Sequence, residues 1–182
     1  MRWTALFEDL ETQLDAATRV ADDAEIADRV RRGHSEVPLA DRLRGQLGLT
    51  LRVSTFGGEV FQGQLTHVGA EWLVLRGQTA EIVVPLTAIR FVDGLSRTVA
   101  VEKSQVLRAL GLGSVLRTLA RDRARVVIHT VDGGPRLEGV IDRVGKDFAE
   151  IAVVLPGEAR RAATVSAVYA VPFAGIAAVS SR

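Results

Sequence analysis

At 182 residues and 47% hydrophobic, the chain has the means for a packed core, and an aromatic share of only 5% makes that core one of Val, Leu, Ile and Ala. A formal net charge of +1 gives no overall pull on polyanions, and the lack of cysteine excludes disulfides, thiolate metal sites and a cysteine nucleophile. No apolar run approaches the roughly 20 residues of a membrane span, and Met1-Arg2-Trp3-Thr4 leads into an acidic amphipathic stretch unlike a secretory signal, so a cytoplasmic protein without a membrane partner is expected.

Trp3, Phe7, Leu10, Leu14, Ala17, Ala21 and Ala24 alternate spacings of four and three, the seam of a long helix. Acids near its start (Glu8, Asp9, Glu11) and arginines near its end (Arg29, Arg31, Arg32) complement the helix dipole, and Gly33 suits its C-terminal cap. Such a stripe packs either on the protein's own body or on another copy, and Trp3, Phe7, Leu10 and Leu14 are the candidate oligomerisation residues. Pro38 then suits the first turn of a shorter helix with Leu39 and Leu43 on one face, ending near Gly45 or Gly48.

From Leu49 the period becomes two, and five short strands are predicted by Val92. Leu49 to Thr55 is the first, and Gly57-Gly58 turns it into Glu59 to Val68, which Gly63 interrupts. Gly69-Ala70 leads into Glu71 to Arg76. Ile82-Val83-Val84 stops at Pro85, and Ile89 to Val92 closes the set.

The same programme then recurs. Gly63 matches Gly139, Leu65 matches Ile141, Val68-Gly69 matches Val144-Gly145, and Glu71-Trp72 matches Asp147-Phe148. Val84-Pro85-Leu86 matches Val171-Pro172-Phe173, and Ile89 and Val92 match Ile176 and Val179. The second copy carries about eleven extra residues, including Pro156-Gly157-Glu158 and Arg160-Arg161, and a helix precedes each copy, with Val115 and Leu119 matching Leu39 and Leu43. The mid-strand glycines permit a sharp bend, and Val-Gly before an acid predicts a tight turn with positive φ.

A short helix, five bent strands and a final turn before Ile-x-x-Val resemble the Sm-like and SH3-like small barrels. The order Thr55-x-x-Gly58-x-x-x-x-Gly63-x-Leu65-x-x-Val68-Gly69, followed by Ile82 to Val92, is close to the Sm pattern, which includes bacterial Hfq. The likeness covers residues 38–95 and again 112–180. The whole chain also looks like a family of actinobacterial proteins, some of which carry a Fis-type transcriptional-regulator label. A Fis-type helix-turn-helix would fall on residues whose pattern is strand and turn. The Sm resemblance implies RNA, which that family reads with an Asp in the turn after the second strand and an Asn in the next strand. Here Glu71 and Asp147 stand in those turns, the chain has no Asn, and Pro85-Leu86-Thr87-Ala88 and Pro172-Phe173-Ala174-Gly175 lack a basic residue or His.

No catalytic constellation is evident. His34, His67 and His129 have no HxxxH or HExxH neighbour and read as satisfied or solvated. The glycine pairs lack the Lys-Ser/Thr of a phosphate loop. One segment stands out electrostatically: residues 96–125 carry seven basic residues against two acids. Arg117, Arg121 and Arg125 recur every four residues after Ser114, the expected N-cap, which predicts three guanidiniums along one helical face, with Arg108 and Arg123 adding to the field. These five are the candidate phosphate contacts. The alternative is that Arg121 and Arg123 pair with Asp122 or other carboxylates of the chain.

The expectation is therefore a mainly β protein with an N-terminal helical arm (1–37), a first five-stranded barrel with its leading helix (38–95), a linker (96–111) and a second barrel with its helix (112–182). Its function is expected to be non-enzymatic interaction or assembly in the cytoplasm, without cofactor, metal or small-molecule substrate. The expected partner is another copy or another protein. RNA or DNA binding through the arginine-rich helix is the alternative.

Overall fold

The computed structural model describes residues 36–102, 104, 109–154 and 165–181. The expected N-terminal helix with Trp3, Phe7, Leu10 and Leu14, the extra loop of the second copy and Arg108 lie outside these residues. Leu39–Arg182 forms one compact unit, which holds both copies of the repeat.

Helix α1 (Leu39–Arg44) starts directly after Pro38 and buries Leu43 completely. It stops at Gly45, where a Cβ would lie 2.3 Å from the Thr98 carbonyl oxygen. Gln46 then laces residues 96–98 back onto the helix: its Nε2 donates to the Arg42 and Thr98 carbonyls (3.1 and 2.8 Å), and its Oε1 accepts from the Ser96 amide (2.8 Å) and hydroxyl (2.7 Å). A fully buried amide side chain has its hydrogen-bonding capacity met in this way, as burial requires.

Five strands follow: β1 (Thr50–Thr55), β2 (Val60–Val68), β3 (Trp72–Arg76), β4 (Glu81–Pro85) and β5 (Ile89–Asp93). Helix α2 (Leu112–Arg121) leads into β6 (Arg125–Thr130), β7 (Leu137–Val144), β8 (Phe148–Val154), β9 (Val165–Pro172) and β10 (Ile176–Ser181). The strand positions agree with the sequence reading, and so do the stops: a 3-10 turn follows Pro85 (Leu86–Ala88) and another follows Pro172 (Phe173–Gly175).

The repeat is visible in the registers. Gly63 lies opposite Leu51 and Gly139 opposite Val126, the second residue of β1 and of β6. β2 bulges between Leu65 and His67, and β7 between the matching Ile141 and Arg143. The mid-strand glycines serve close approach of the neighbouring backbone, where the sequence reading expects a bend: a Cβ at Gly63 or Gly139 would lie 2.6 or 2.0 Å from a carbonyl oxygen of the neighbouring strand. Gly69 and Gly145 correct the expectation, because positive φ is found elsewhere in the chain. Their side chains are excluded by the following aromatic ring, which a Cβ would meet at 2.3 Å, Trp72 in one copy and Phe148 in the other.

The ten strands form one antiparallel sheet ordered β5-β1-β2-β3-β4-β10-β6-β7-β8-β9. The sequence predicts two separate barrels, and the hydrogen bonding differs. Each copy contributes five strands in the same order (last, first, second, third, fourth), but β4 of the first pairs with β10 of the second, and the sheet is left unclosed. The physical reason lies in the apolar runs. Trp72-Leu73-Val74-Leu75 and Ile82-Val83-Val84 are buried along their whole length, with no polar-out alternation. Leu73, Leu75, Ile82 and Val84 enter a first core with Leu43, Leu51, Val53 and Leu65. Trp72, Val74 and Val83 enter a second core with Leu112, Leu116, Ile128, Ile141 and Ile151. Strands with two apolar faces need cover on both, and the second copy supplies it.

α2 also corrects one detail of the repeat. Leu112 and Leu116 are the buried leucines of this helix, while Val115 and Leu119 are only partly buried, so Leu116 is the counterpart of Leu43.

Candidate functional site

The arginine set does not share one helical face. α2 begins from Gly111 with no side-chain cap, and the expected cap, Ser114, lies inside the helix. The helix ends at Arg121. Asp122 caps it, Arg123 takes the left-handed conformation (φ 51°), and Arg125 already belongs to β6, where its guanidinium lies 3.9 Å from Glu138. Arg121 lies 3.6 Å from Asp122 with both side chains largely exposed, a pairing of little energetic weight.

Arg117 has a different setting. It borders a recess of roughly 470 Å³ where both copies meet, lined by Glu71 and Thr87 of the first and by Gly111 to Ser114, Lys146, Asp147 and Phe173 of the second. A Cβ at Gly113 would lie 3.4 Å from Arg117 Nη2 and 3.4 Å from the Phe173 ring, so guanidinium and ring flank the bare backbone of the helix start. The recess edge is held by Trp72, whose Nε1 donates to the Leu110 carbonyl at 2.8 Å.

The second polar cluster lies across the β4–β10 joint. His129 of β6 is 7% exposed, and its Nδ1 lies 2.8 Å from Glu59 Oε1, its Nε2 3.2 Å from Ser180 Oγ. A carboxylate only accepts, so Nδ1–H is the donor to Glu59 Oε1, and Nε2 lies within hydrogen-bond distance of the Ser180 hydroxyl. Arg136 Nε also donates to Glu59 Oε1 at 3.1 Å, and Phe61 meets the imidazole edge-on at 5.1 Å between centroids. Glu59 and Phe61 belong to the first copy, His129, Arg136 and Ser180 to the second. The order serine, histidine, carboxylate is that of a hydrolytic triad, yet Ser180 sits in a central strand whose amides serve the ladders to β4 and β6. The amides of that strand, committed to the two ladders, do not themselves supply the pair of donors that an acyl-transfer site aims at its oxyanion.

Periodicity alone reads His129 as a strand histidine and gives Glu59 no role. The usable signal is a difference between the copies: by register, His129 stands where the first copy has Ser54, and Glu59 where the second has Pro135. Groups that serve one joint only appear as departures from the repeat.

The third feature is the pair of sheet ends. Among the described residues β5 and β9 each have one paired neighbour, and they expose Phe91 (59%), Val168 (56%) and Tyr169 (48%).

Among the described residues, no group of three or more His, Asp or Glu side chains is placed to hold a metal, and no helix is long and apolar enough to cross a membrane. Comparison with protein-family models, with curated proteins and with solved structures finds no match to this chain.

Proposed function

We propose that this chain is a non-enzymatic assembly module of the cytoplasm, built from two Sm-like five-stranded halves that share one open sheet and working through its strand edges. Each half carries a short leading helix, a mid-strand glycine, a bulged second strand and a Pro-started turn before its last strand, and the two halves share one strand order. One observation carries the reading. Among the described residues the sheet runs through the joint between the halves and stops at β5 and β9, each paired on one side only, which are the counterparts of the strands paired at the joint. An unpaired edge with exposed apolar side chains is a template for pairing with another chain unless it is blunted or covered. Light scattering of the full chain over a range of concentrations tests this reading. A mass above 19.6 kDa that grows with concentration is expected, and a constant single-chain mass with no co-purifying protein would rule the reading out.

A second reading is supported by the recess beside α2. Arg117 and Lys146 border it from different elements, beside a helix start whose own first turn holds no acid, and the carboxylates of Glu71 and Asp147 line it as well, so a phosphate of single-stranded nucleic acid would pair with the two cations in place of those acids. Binding of an oligonucleotide at low salt that weakens steeply as salt rises, and weakens further in Arg117→Ala, is its signature. Equal binding by that variant would remove it.

A further inference from the structure

We infer that the recess beside α2 is a binding site for a small zwitterion of the α-amino-acid class with an apolar side chain. Its carboxylate pairs with Arg117 and Lys146, its ammonium with Glu71 and Asp147, and its side chain lies on Phe173. The inference goes beyond the assembly reading and does not rest on it.

The first clue is a difference between the copies. Leu43 corresponds to Leu116, so Arg44 corresponds to Arg117 and Asp41 to Ser114. In the first copy this arginine has a structural task. Arg44 is 7% exposed, its Nη1 is paired with Asp41, and its Nη2 donates to the Gly69 carbonyl at 2.8 Å, which ties α1 to the turn between β2 and β3. In the second copy Ser114 takes the place of the acid. Arg117 is exposed and reaches back toward Gly113 and the Phe173 ring. Two further differences fall at the same place. Gly69 matches Gly145, so Ala70 corresponds to Lys146, and Leu86 corresponds to Phe173. A released guanidinium, an added ammonium and a larger ring thus meet at one recess, while the strand order around them repeats.

The second clue is that the recess carries both signs of charge. Glu71 comes from the first copy, where its Oε2 would lie 3.1 Å from a Cβ at Gly111, and Lys146 and Asp147 come from the turn between β7 and β8. All four charged side chains are exposed, and among the described residues they form no hydrogen bond or ion pair. Two such cations alone would suit any anion, and a guanidinium binds a carboxylate well. Two carboxylates at the same place oppose a polyanion and favour a ligand with one charge of each sign. Phe173, packed on the second core from one side, offers its ring to an apolar side chain. A volume of roughly 470 Å³ is that of a small-molecule site.

The probe is leucine, added to the full chain and read through the indole N–H signal of Trp72 by NMR, since Trp72 Nε1 donates to the Leu110 carbonyl at the recess edge. Trp3 is the other tryptophan, and Trp3→Phe leaves a single indole signal. Leucine should shift that signal saturably. N-acetyl-leucine, without the ammonium, and leucinamide, without the carboxylate, should each bind about tenfold more weakly, the scale of a hydrogen bond to a charged group. Arg117→Ala should weaken leucine by about the same factor, and Glu71→Gln should narrow the gap between leucine and N-acetyl-leucine. No saturable shift with leucine overturns the inference, and a shift with an oligonucleotide instead gives the recess to the phosphate reading. Equal affinity for leucine and both derivatives overturns it too, as does leucine binding unchanged in Arg117→Ala and Glu71→Gln alike. Circular dichroism checks each fold, and should a variant not fold, the two derivatives decide. None of these outcomes moves the assembly reading, which light scattering decides separately.

Discussion

The joint between the halves and the free ends of the sheet are the same place in the repeat, yet they are built differently. At the joint, β4 is apolar on both faces and β10 is buried from Ile176 to Val179. At the ends, β5 keeps Arg90, Phe91 and Asp93 exposed, and β9 keeps Val168 and Tyr169 exposed. A position gains a second apolar face only where a neighbour is always present. The joint also carries the one imidazole–carboxylate contact among the described residues, and the ends carry none. What distinguishes the copies is therefore concentrated where they meet.

The largest way to break this contrast is at paired positions. Val83→Asp would put an uncompensated carboxylate into the second core and should cost about 3–5 kcal/mol by chemical denaturation. Ala170→Asp, its counterpart at the free end, should leave single-chain stability within about 0.5 kcal/mol while lowering the concentration-dependent mass. Equal stability losses in the two variants would show that the halves are not distinguished by the joint. Next in size, Glu59→Ala leaves the buried His129 Nδ1–H without its acceptor and should cost about 1–3 kcal/mol. Pro135→Ala, at the matching position, should fall within about 0.5 kcal/mol of wild type. Smallest for stability is Arg117→Ala, expected to change unfolding by less than about 0.5 kcal/mol and to be read in oligonucleotide retention at two salt concentrations.

The strands, their turns and the repeat were legible because each rests on local chemistry. The close strand approach at Gly63 and Gly139 and the stops at Pro85 and Pro172 follow from what those residues do to the backbone wherever they occur. The pairing of β4 with β10 was not legible, since it joins segments far apart in the chain and no local residue specifies it. The unbroken burial of Trp72 to Leu75 was the available sign that this strand needs cover on both sides. The arginine face failed for a local reason. A spacing of four from Arg117 through Arg125 assumes one continuous helix, and Arg123 with its left-handed backbone ends that continuity before Arg125. Of the candidate phosphate contacts, Arg117 borders a recess shared by the two copies, while the Glu59–His129 contact could be read only by asking where the two copies disagree.

β10 is the last of the ten strands to be synthesised, yet it lies in the middle of the sheet. Until it emerges from the ribosome, β4 of a half that is otherwise ready to fold waits with a bare apolar edge through the making of the entire second half. The cover of β4 and the closing of the two cores over the joint thus depend on the last of the ten strands.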